Sequence, residues 1–263
     1  MPRKKIKRIV NIVPSRDTQD DWRISNAVGA GVLRAPASLP SSVDLRADWW
    51  KVGEQADTGA CVGWATAEGV LRWHFVKAKK IKNNEPLSPR FIWMAAKETD
   101  EFTDRPTTFI DSDGTSLKAA VDIARKYGAV KDSMLPFDNA KLYRDETDTF
   151  YATAAQLKIA SYFNLFKDLR QWRTWLAGKG PLLVALNVDS TWNNATATRG
   201  LLDTFKPRTA AGGHAVAVVG YRADGRFIIR NSWGKTWGDK GFGYATEAYI
   251  NAAFFPEAYG VTL

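Results

Sequence analysis

The chain contains a single cysteine, Cys61, and this thiol is the group best suited to covalent chemistry. It follows Gln55 by six residues, at a glycine-marked point where a loop leads into a helical pattern. Far downstream, His214 and Asn231 supply an imidazole and an amide. A thiol attacks an acyl carbon as its thiolate, so an enzyme must lower the pKa of the thiol and hold the anion in place. These residue types predict nucleophilic catalysis by Cys61.

Each of these side chains has a place in such a reaction. His214 would form an ion pair with Cys61, donate a proton to the leaving amine and then activate the water that releases the acyl group. Asn231 would bind the other ring nitrogen and fix the orientation of the ring. The oxyanion requires preorganised donors, and losing one typically costs about 3 kcal/mol. The Gln55 amide and the Cys61 backbone N–H are the natural pair, because Gly59 opens a tight loop between them.

Helical patterns in the first half of the chain position the thiol. Apolar spacing predicts a helix over residues 61–80, which places Cys61 at its N-terminus. Ser88 is predicted to cap a second helix. Thr115 or Ser116 caps a third, which Gly128 closes.

Strand patterns dominate beyond about residue 180. Residues 181–188, 214–221 and 226–232 are apolar and β-branched runs that predict neighbouring strands. A mainly helical first half and a mainly β second half predict an α+β protein with two unlike lobes.

The pairing of the strands that carry His214 and Asn231 sets a geometric requirement. If Asp224 and Gly225 formed a two-residue hairpin turn, His214 would lie opposite Lys235. In that register Asn231 would lie several residues along the strand from the position opposite His214. At about 3.4 Å per residue, this separation is too large for the two side chains to meet. We therefore expect a longer loop or a bulge.

The residues around these positions resemble those of the papain-like cysteine peptidases. The resemblance covers residues 39–46, 55–65, 113–117, 180–188, 214–221 and 231–244. The last segment, with Trp233 and several glycines, is the strongest single piece.

The resemblance implies a two-lobed papain-like α+β fold with the active site in the cleft between the lobes. It places a peptidase domain at residues 39–263, with a helical lobe at about 50–130 and an antiparallel β-sheet or barrel lobe at about 131–263. Residues 1–38 form a lead-in, interpreted as a short pro-segment.

The resemblance also implies roles for individual residues. The catalytic set comprises Gln55 as oxyanion donor, Cys61 as nucleophile, His214 as acid and base, and Asn231 as orienting amide. The substrate-binding set comprises Gly59, Gly114, Thr115, Ala185, Ala215 and Trp233. Gly114 and Thr115 would offer backbone groups to an extended peptide. Ala185 and Ala215 would leave room for a bulky apolar side chain, and Trp233 would shield the contact between histidine and asparagine from water.

Some residues depart from the family pattern. Val62 replaces the tryptophan that usually follows the nucleophile, and Ala56 replaces a glycine. Thr58 stands where secreted members have one of their paired cysteines. These departures are similar to those of the bacterial branch and leave the catalytic set intact.

The leading functional hypothesis is a cysteine endopeptidase that forms a thioester acyl-enzyme with a peptide or protein substrate bound in extended form. One alternative is a cysteine-dependent amidase, deamidase or acyltransferase. Such relatives often use an acidic third residue, so Asn231 favours the peptidase. The other alternative is a catalytically silent peptide-binding module. None of these hypotheses calls for a metal or a cofactor.

The lead-in suggests regulation, as in a zymogen. Residues 1–38 are too short for a helical pro-domain, but they are long enough to cover the cleft. We expect Val13, Pro14, Asp17 and Trp22 to dock, and the alternative is a segment that wraps round the back of the domain.

Composition bounds the remaining properties. The chain has 263 residues and a formal charge of +9, and its first eight residues supply five of these charges. We interpret them as a solvated tail and infer no nucleic-acid partner.

No apolar run approaches the ~18 residues of a membrane span, and no signal peptide is recognisable. With a single cysteine, the cytoplasm is the default location, and secretion by a non-standard route is the alternative. The oligomeric state stays open.

Overall fold

Two lobes of unlike architecture make up the protein, as the sequence predicted. The computed structural model describes residues 8–34, 36–99, 113–137 and 147–263. Helices pack on one side of a mostly antiparallel sheet, and four further helices of the described residues cover its other side. The basic residues before Arg8 lie outside the described residues.

The helices of the described residues form two groups. The first group contains α2 (Cys61–Thr66), a π-helical turn (Ala67–Leu71), α3 (Arg72–Lys77), α4 (Pro89–Thr99), α5 (Leu117–Lys126) and α6 (Thr147–Ala154). The second group contains α1 (Ile24–Gly29), α7 (Leu169–Gly178), α8 (Ser190–Asn194) and α9 (Glu247–Ala253). No helix of the described residues is both long and apolar enough to cross a membrane.

The strands form one sheet in the order β2-β8-β3-β5-β6-β7-β4, and β1 pairs with β5. Their bounds are β1 (Val43–Asp44), β2 (Ser161–Asn164), β3 (Leu182–Val188), β4 (Leu201–Leu202), β5 (Gly212–Tyr221), β6 (Phe227–Arg230), β7 (Phe242–Ala245) and β8 (Phe254–Thr262). The pair of β4 with β7 is parallel and the others are antiparallel. The path ends at β2 and β4, so the sheet is open and does not close into a barrel.

Both faces of the central strands are buried, which explains their continuous apolar runs. On β5, Ala215, Ala217 and Val219 join the core shared with the helical lobe. Val216 and Val218 face the opposite core, formed with α7, α8 and α9. The strand that carries His214 is therefore held from both sides.

Local signals for the helices of the first lobe are confirmed. The Ser88 hydroxyl accepts from the N–H of Phe91 at 3.0 Å at the start of α4. Ser116, one of the two predicted caps, accepts from the N–H of Ala119 at 3.3 Å. Gly63 lets α4 approach α2 closely, because a Cβ there would lie 2.3 Å from the carbonyl oxygen of Pro89.

The predicted irregularity between β5 and β6 is confirmed. Arg222 donates its N–H to the carbonyl of Arg226 at 2.8 Å, so the connection is longer than a two-residue turn. The register then shifts between Val218 and Gly220, where β5 bulges. Together these features bring the residues after β6 back towards His214.

The N-terminal segment packs on the β lobe through a buried carboxylate. Asp21 is 7% exposed and accepts hydrogen bonds from the Tyr259 hydroxyl at 2.7 Å and from the Asn164 side-chain amide at 3.0 Å. The Lys118 ammonium also pairs with it. Further along, Ala27 enters the core of the sheet lobe. Residues 15–33 are thus integrated into the fold.

Substitution of Asp21 with alanine is expected to destabilise the protein by about 3 kcal/mol, because it leaves the buried Tyr259 hydroxyl and the partly buried Lys118 ammonium without their acceptor. The measurement is urea-induced unfolding. Asp20 is exposed and provides the matched control, since Asp20→Ala should change the free energy of unfolding little. Equal effects of the two substitutions would contradict the role of the buried carboxylate.

Candidate active site

Cys61 lies at the first residue of α2, at the boundary between the lobes. Its side chain is fully buried, and the backbone N–H groups of Ala215, Val62 and Cys61 itself point to its sulfur. Ala215 directly follows His214 on β5. The fold therefore brings the thiol next to the strand position that carries the imidazole.

His214 is oriented by Asn231 and enclosed by indole rings. Its Nε2 lies 2.8 Å from Asn231 Oδ1, which also accepts the N–H of Ser232 at 2.8 Å. The Trp233 and Trp192 ring centroids lie 4.9 and 5.6 Å from the imidazole. Among the described residues His214 Nδ1 has no hydrogen-bond partner, so this nitrogen is left for the thiol.

Gln55 is positioned by a short backbone ladder with the segment after β6. Its N–H donates to the carbonyl of Ser232 at 2.8 Å, and the Ser232 hydroxyl donates to Gln55 Oε1 at 2.7 Å. The side-chain Nε2 donates one hydrogen to the carbonyl of Thr58 at 2.9 Å, which leaves its second hydrogen for another acceptor. Ser232 thus acts as a support that the sequence patterns did not reveal.

Burial favours the neutral forms of the Cys61 thiol and the His214 imidazole in this structure. Loss of water raises the pKa of the Cys61 thiol to about 11, although the surrounding N–H groups oppose the shift. Burial lowers the pKa of His214 to about 4, against the hydrogen bond that its Nε2 donates to Asn231 Oδ1, and the nearby Arg8 charge lowers it further. Burial therefore favours a neutral thiol and a neutral imidazole over an ion pair.

Residues 8–13 of the N-terminal segment lie across this site, and we call this stretch the cleft segment. Ile12 donates its N–H to the carbonyl of Gly213 at 3.2 Å, and Val13 donates to the carbonyl of Thr115 at 3.1 Å. A Cβ on Gly114 would lie 2.0 Å from the carbonyl oxygen of Asn11. The glycines here leave room for the backbone of another segment. In this structure that room is filled by the cleft segment of the same chain.

The two ends of the cleft segment are fixed by contacts with glutamate carboxyl groups. At its start, Arg8 pairs with Glu54 and lies over the Trp233 ring. Just beyond its end, Glu257 accepts the N–H of Ser15 at 2.7 Å and also the Ser15 hydroxyl. Neither contact was foreseen from the sequence, because each joins residues more than 40 positions apart.

The expectation for the docking residues was largely wrong. Of the four, only Val13 lies on the cleft; Pro14 and Asp17 are exposed, and Trp22 is 56% exposed beside Phe163. The backbone turns at Asp17, where φ is 53°, and the chain then packs on β2 and β8 through Asp21. Arg8 and Ile12 dock instead, and Ile12 is 7% exposed.

The remaining predicted substrate-binding residues surround the same region. Ala185 and Ala215 face each other across β3 and β5 and are fully buried. Gly59 is buried in the turn before α2. Among the described residues, no group of three or more His, Cys, Asp or Glu side chains is arranged to hold a metal ion.

This arrangement of cysteine, histidine and asparagine is accompanied by a match along the chain. Residues 39–253 match the family model described as papain family cysteine protease. The chain belongs to the papain family of cysteine proteases. The resemblance seen in the sequence is thereby confirmed.

Individual relatives of the papain family align with different parts of the chain. Mouse cathepsin K is 25% identical over 224 residues, which are 81% of this chain and 62% of that protein. Mouse cathepsin F is 32% identical over 104 residues, which are 38% of this chain and 22% of that protein. The chain thus spans less than two thirds of the length of these curated relatives.

Solved structures of the papain family share the fold. Xylellain, a cysteine protease from Xylella fastidiosa, matches with a TM-score of 0.79 at 22% identity, covering 98% of each chain. Digestive procathepsin L 3 of Tenebrio molitor larval midgut matches with a TM-score of 0.63 at 18% identity, covering 88% of this chain and 72% of that chain.

Proposed function

We propose that this chain is a cysteine endopeptidase that acts through a thioester acyl-enzyme on Cys61 and is held latent by its cleft segment. The observation that carries the chemistry is the 2.8 Å contact of His214 Nε2 with Asn231, which leaves Nδ1 for the thiol. Family membership supports the same assignment. The full match in length with xylellain supports a bacterial-type architecture with a short N-terminal segment.

The reaction follows from the positions of these groups. In the open site, the thiol proton moves to His214 and the thiolate attacks the substrate carbonyl carbon. Gln55 and the Cys61 N–H donate to the oxyanion. The carbon–nitrogen bond breaks as the imidazolium gives its proton to the leaving amine. Water, deprotonated by His214, then hydrolyses the thioester and restores the thiol.

The path of the cleft segment supports endopeptidase action. It enters at Glu54 and Trp233, passes Gly213 and Gly114, and continues to Glu257. The cleft is therefore open at both ends to a continuous chain. An internal stretch of a substrate can bind there, and no free terminus is needed.

The direction of the cleft segment supports latency. Because His214 protonates the leaving amine, the substrate residues after the scissile bond lie towards Trp233, which packs on His214. Those before the bond then lie along Gly114 and Thr115. The cleft segment has its earlier residue, Arg8, at Trp233 and its later residue, Val13, at Thr115. The cleft segment therefore runs in the N-to-C direction opposite to that of a substrate. Its peptide bonds are reversed relative to the thiol and the imidazole.

An opened variant tests this proposal in the full chain. Ile12→Asp places a carboxylate in a buried apolar position and should release the cleft segment, raising the hydrolysis of an internally quenched peptide about 100-fold. Val28→Asp is the matched control, because Val28 lies in the same N-terminal segment but is 45% exposed. Equal activity of the parent and Ile12→Asp would contradict latency, and a folded but inactive Ile12→Asp protein would contradict peptidase function.

A further inference from the structure

We propose that Glu54 and Trp233 form a cation-binding subsite, which selects an arginine or lysine side chain in the part of the substrate that leaves as the amine product. Arg8 occupies this subsite in the latent chain. The assignment of a leaving side rests on the proposed peptidase function, and the binding chemistry rests on the contacts of Arg8 alone.

Arg8 shows what the subsite binds. Its Nη1 and Nη2 pair with the two carboxylate oxygens of Glu54, and the Nη2 distance to Oε2 is 3.1 Å. Nη1 also donates to the carbonyl of Ala56 at 3.1 Å, and Nη2 donates to the carbonyl of Trp233 at 3.3 Å. The guanidinium carbon lies 5.5 Å from the centroid of the Trp233 ring. A two-pronged carboxylate contact with an aromatic face suits a guanidinium above other side chains.

The domain holds the subsite in shape without help from Arg8. The N–H of Ala56 donates to Glu54 Oε1 at 2.9 Å, and the backbone of Glu54 bridges that of Trp233. Gly234 makes room for the carboxylate, since a Cβ there would lie 2.7 Å from Glu54 Oε2. The acceptors are therefore already placed when the cleft segment leaves.

The surroundings favour a basic peptide over an acidic one. A groove of about 340 Å³ opens beside Glu54 and is lined by Trp64, Pro89 and Phe137, among others. It also contains Asp132, and none of its described lining residues is basic. A peptide with an acidic side chain at this position would meet the Glu54 carboxylate without a compensating cation.

Glu54 lies on the leaving side of the scissile bond. It lies next to Trp233, and Trp233 covers the imidazole that protonates the leaving amine. The side chain that replaces Arg8 therefore belongs to the first or second residue after the scissile bond. Glu54 itself takes no part in bond breaking, so it is a specificity residue and not a catalytic one.

A binding experiment tests the subsite without turnover. The protein is the full chain with Arg8→Ala to vacate the subsite, Ile12→Asp to release the cleft segment and Cys61→Ala to prevent reaction. The probes are alanyl-arginine amide and arginyl-alanine amide, each compared by calorimetry with its citrulline counterpart, which keeps the shape but lacks the charge. We expect one arginine peptide to bind about tenfold more tightly than its citrulline counterpart, a difference of about 1.4 kcal/mol.

Substitution of Glu54 tests whether its carboxylate causes the preference for arginine over citrulline. Glu54→Gln in the same chain should remove the difference between arginine and citrulline, whereas Glu247→Gln, which alters an ion pair with Arg173 at another site, should preserve it. Equal binding of both peptides, binding of neither at millimolar concentration, or a difference that survives Glu54→Gln would each overturn the proposal.

Cleavage of a peptide library by the opened chain with Arg8→Ala and Ile12→Asp, and with Cys61 intact, locates the preferred position. Arginine or lysine should be enriched at the first or second residue after the cleaved bond, and Glu54→Gln should abolish the enrichment. A peptidase without this preference would overturn the subsite alone. A charge-dependent binding site on a protein whose Cys61 does not react would overturn the proposed function alone.

Discussion

Substitution of Cys61 or His214 with alanine in the opened Ile12→Asp chain is expected to lower kcat/KM for peptide hydrolysis by about 10⁵-fold or more. The two residues act as one unit, because the thiol gives its proton to the imidazole and the imidazole passes it to the leaving amine. The double substitution should therefore cost no more than either single one. Steady-state kinetics on an internally quenched peptide measures all three effects.

The second histidine of the chain supplies the control for this series. His74 is 8% exposed and lies in α3 beside Trp73, with a pKa lowered to about 4 by burial. The opened chain with His74→Ala should retain its activity per folded molecule, as checked by circular dichroism. Additive losses for Cys61 and His214, or a comparable loss for His74→Ala, would contradict the assigned pair.

The pH dependence of thiol reactivity is expected to differ strongly between the latent and the opened chain. In the latent chain the pKa of Cys61 is about 11, so the thiolate fraction at pH 7 is only about 10⁻⁴ and increases about tenfold per pH unit. In the opened chain, water reaches the site and the Arg8 charge leaves His214. A thiolate–imidazolium pair then forms, and its reactivity is level between the two apparent pKa values of the pair.

Alkylation by iodoacetamide between pH 5 and 10 measures this difference. The Ile12→Asp protein should react faster by the largest factor at low pH, and the ratio of the two rates should fall as the pH rises. Val28→Asp should follow the parent profile. A ratio that stays constant over the whole range would contradict the difference in thiol pKa between the two states.

Much of the catalytic geometry could be predicted because its signals are local. Ser88 and Ser116 cap helices with their own side chains, and a helical pattern starting at Cys61 places the thiol at a helix end. The expected irregularity between β5 and β6 followed from counting residues on either side of the turn, and the structure contains both a longer loop and a bulge.

The covering of the site could not be predicted in the same way. Ile12 reaches Gly213, and Arg8 reaches Glu54 and Trp233, over separations that leave no periodic trace in the sequence. The interpretation of Arg8 as part of a solvated tail is wrong, because its side chain pairs with Glu54 and lies over the Trp233 ring. The basic residues that precede Arg8 in the sequence favour a solvated segment and hide this contact. The position of Glu54, directly before Gln55, was the available signal that a charge lies beside the proposed oxyanion donor.

The most direct test of the account is labelling with an epoxide inhibitor of papain-like enzymes, followed by mass analysis of the modified residue. The full chain, Ile12→Asp and Val28→Asp are compared, with Cys61→Ala in the opened chain as the blank. We expect one adduct, on Cys61, that forms rapidly in Ile12→Asp and slowly in the other two proteins. A folded Ile12→Asp protein that gains no adduct on Cys61, or a parent chain labelled at the same rate, would contradict it.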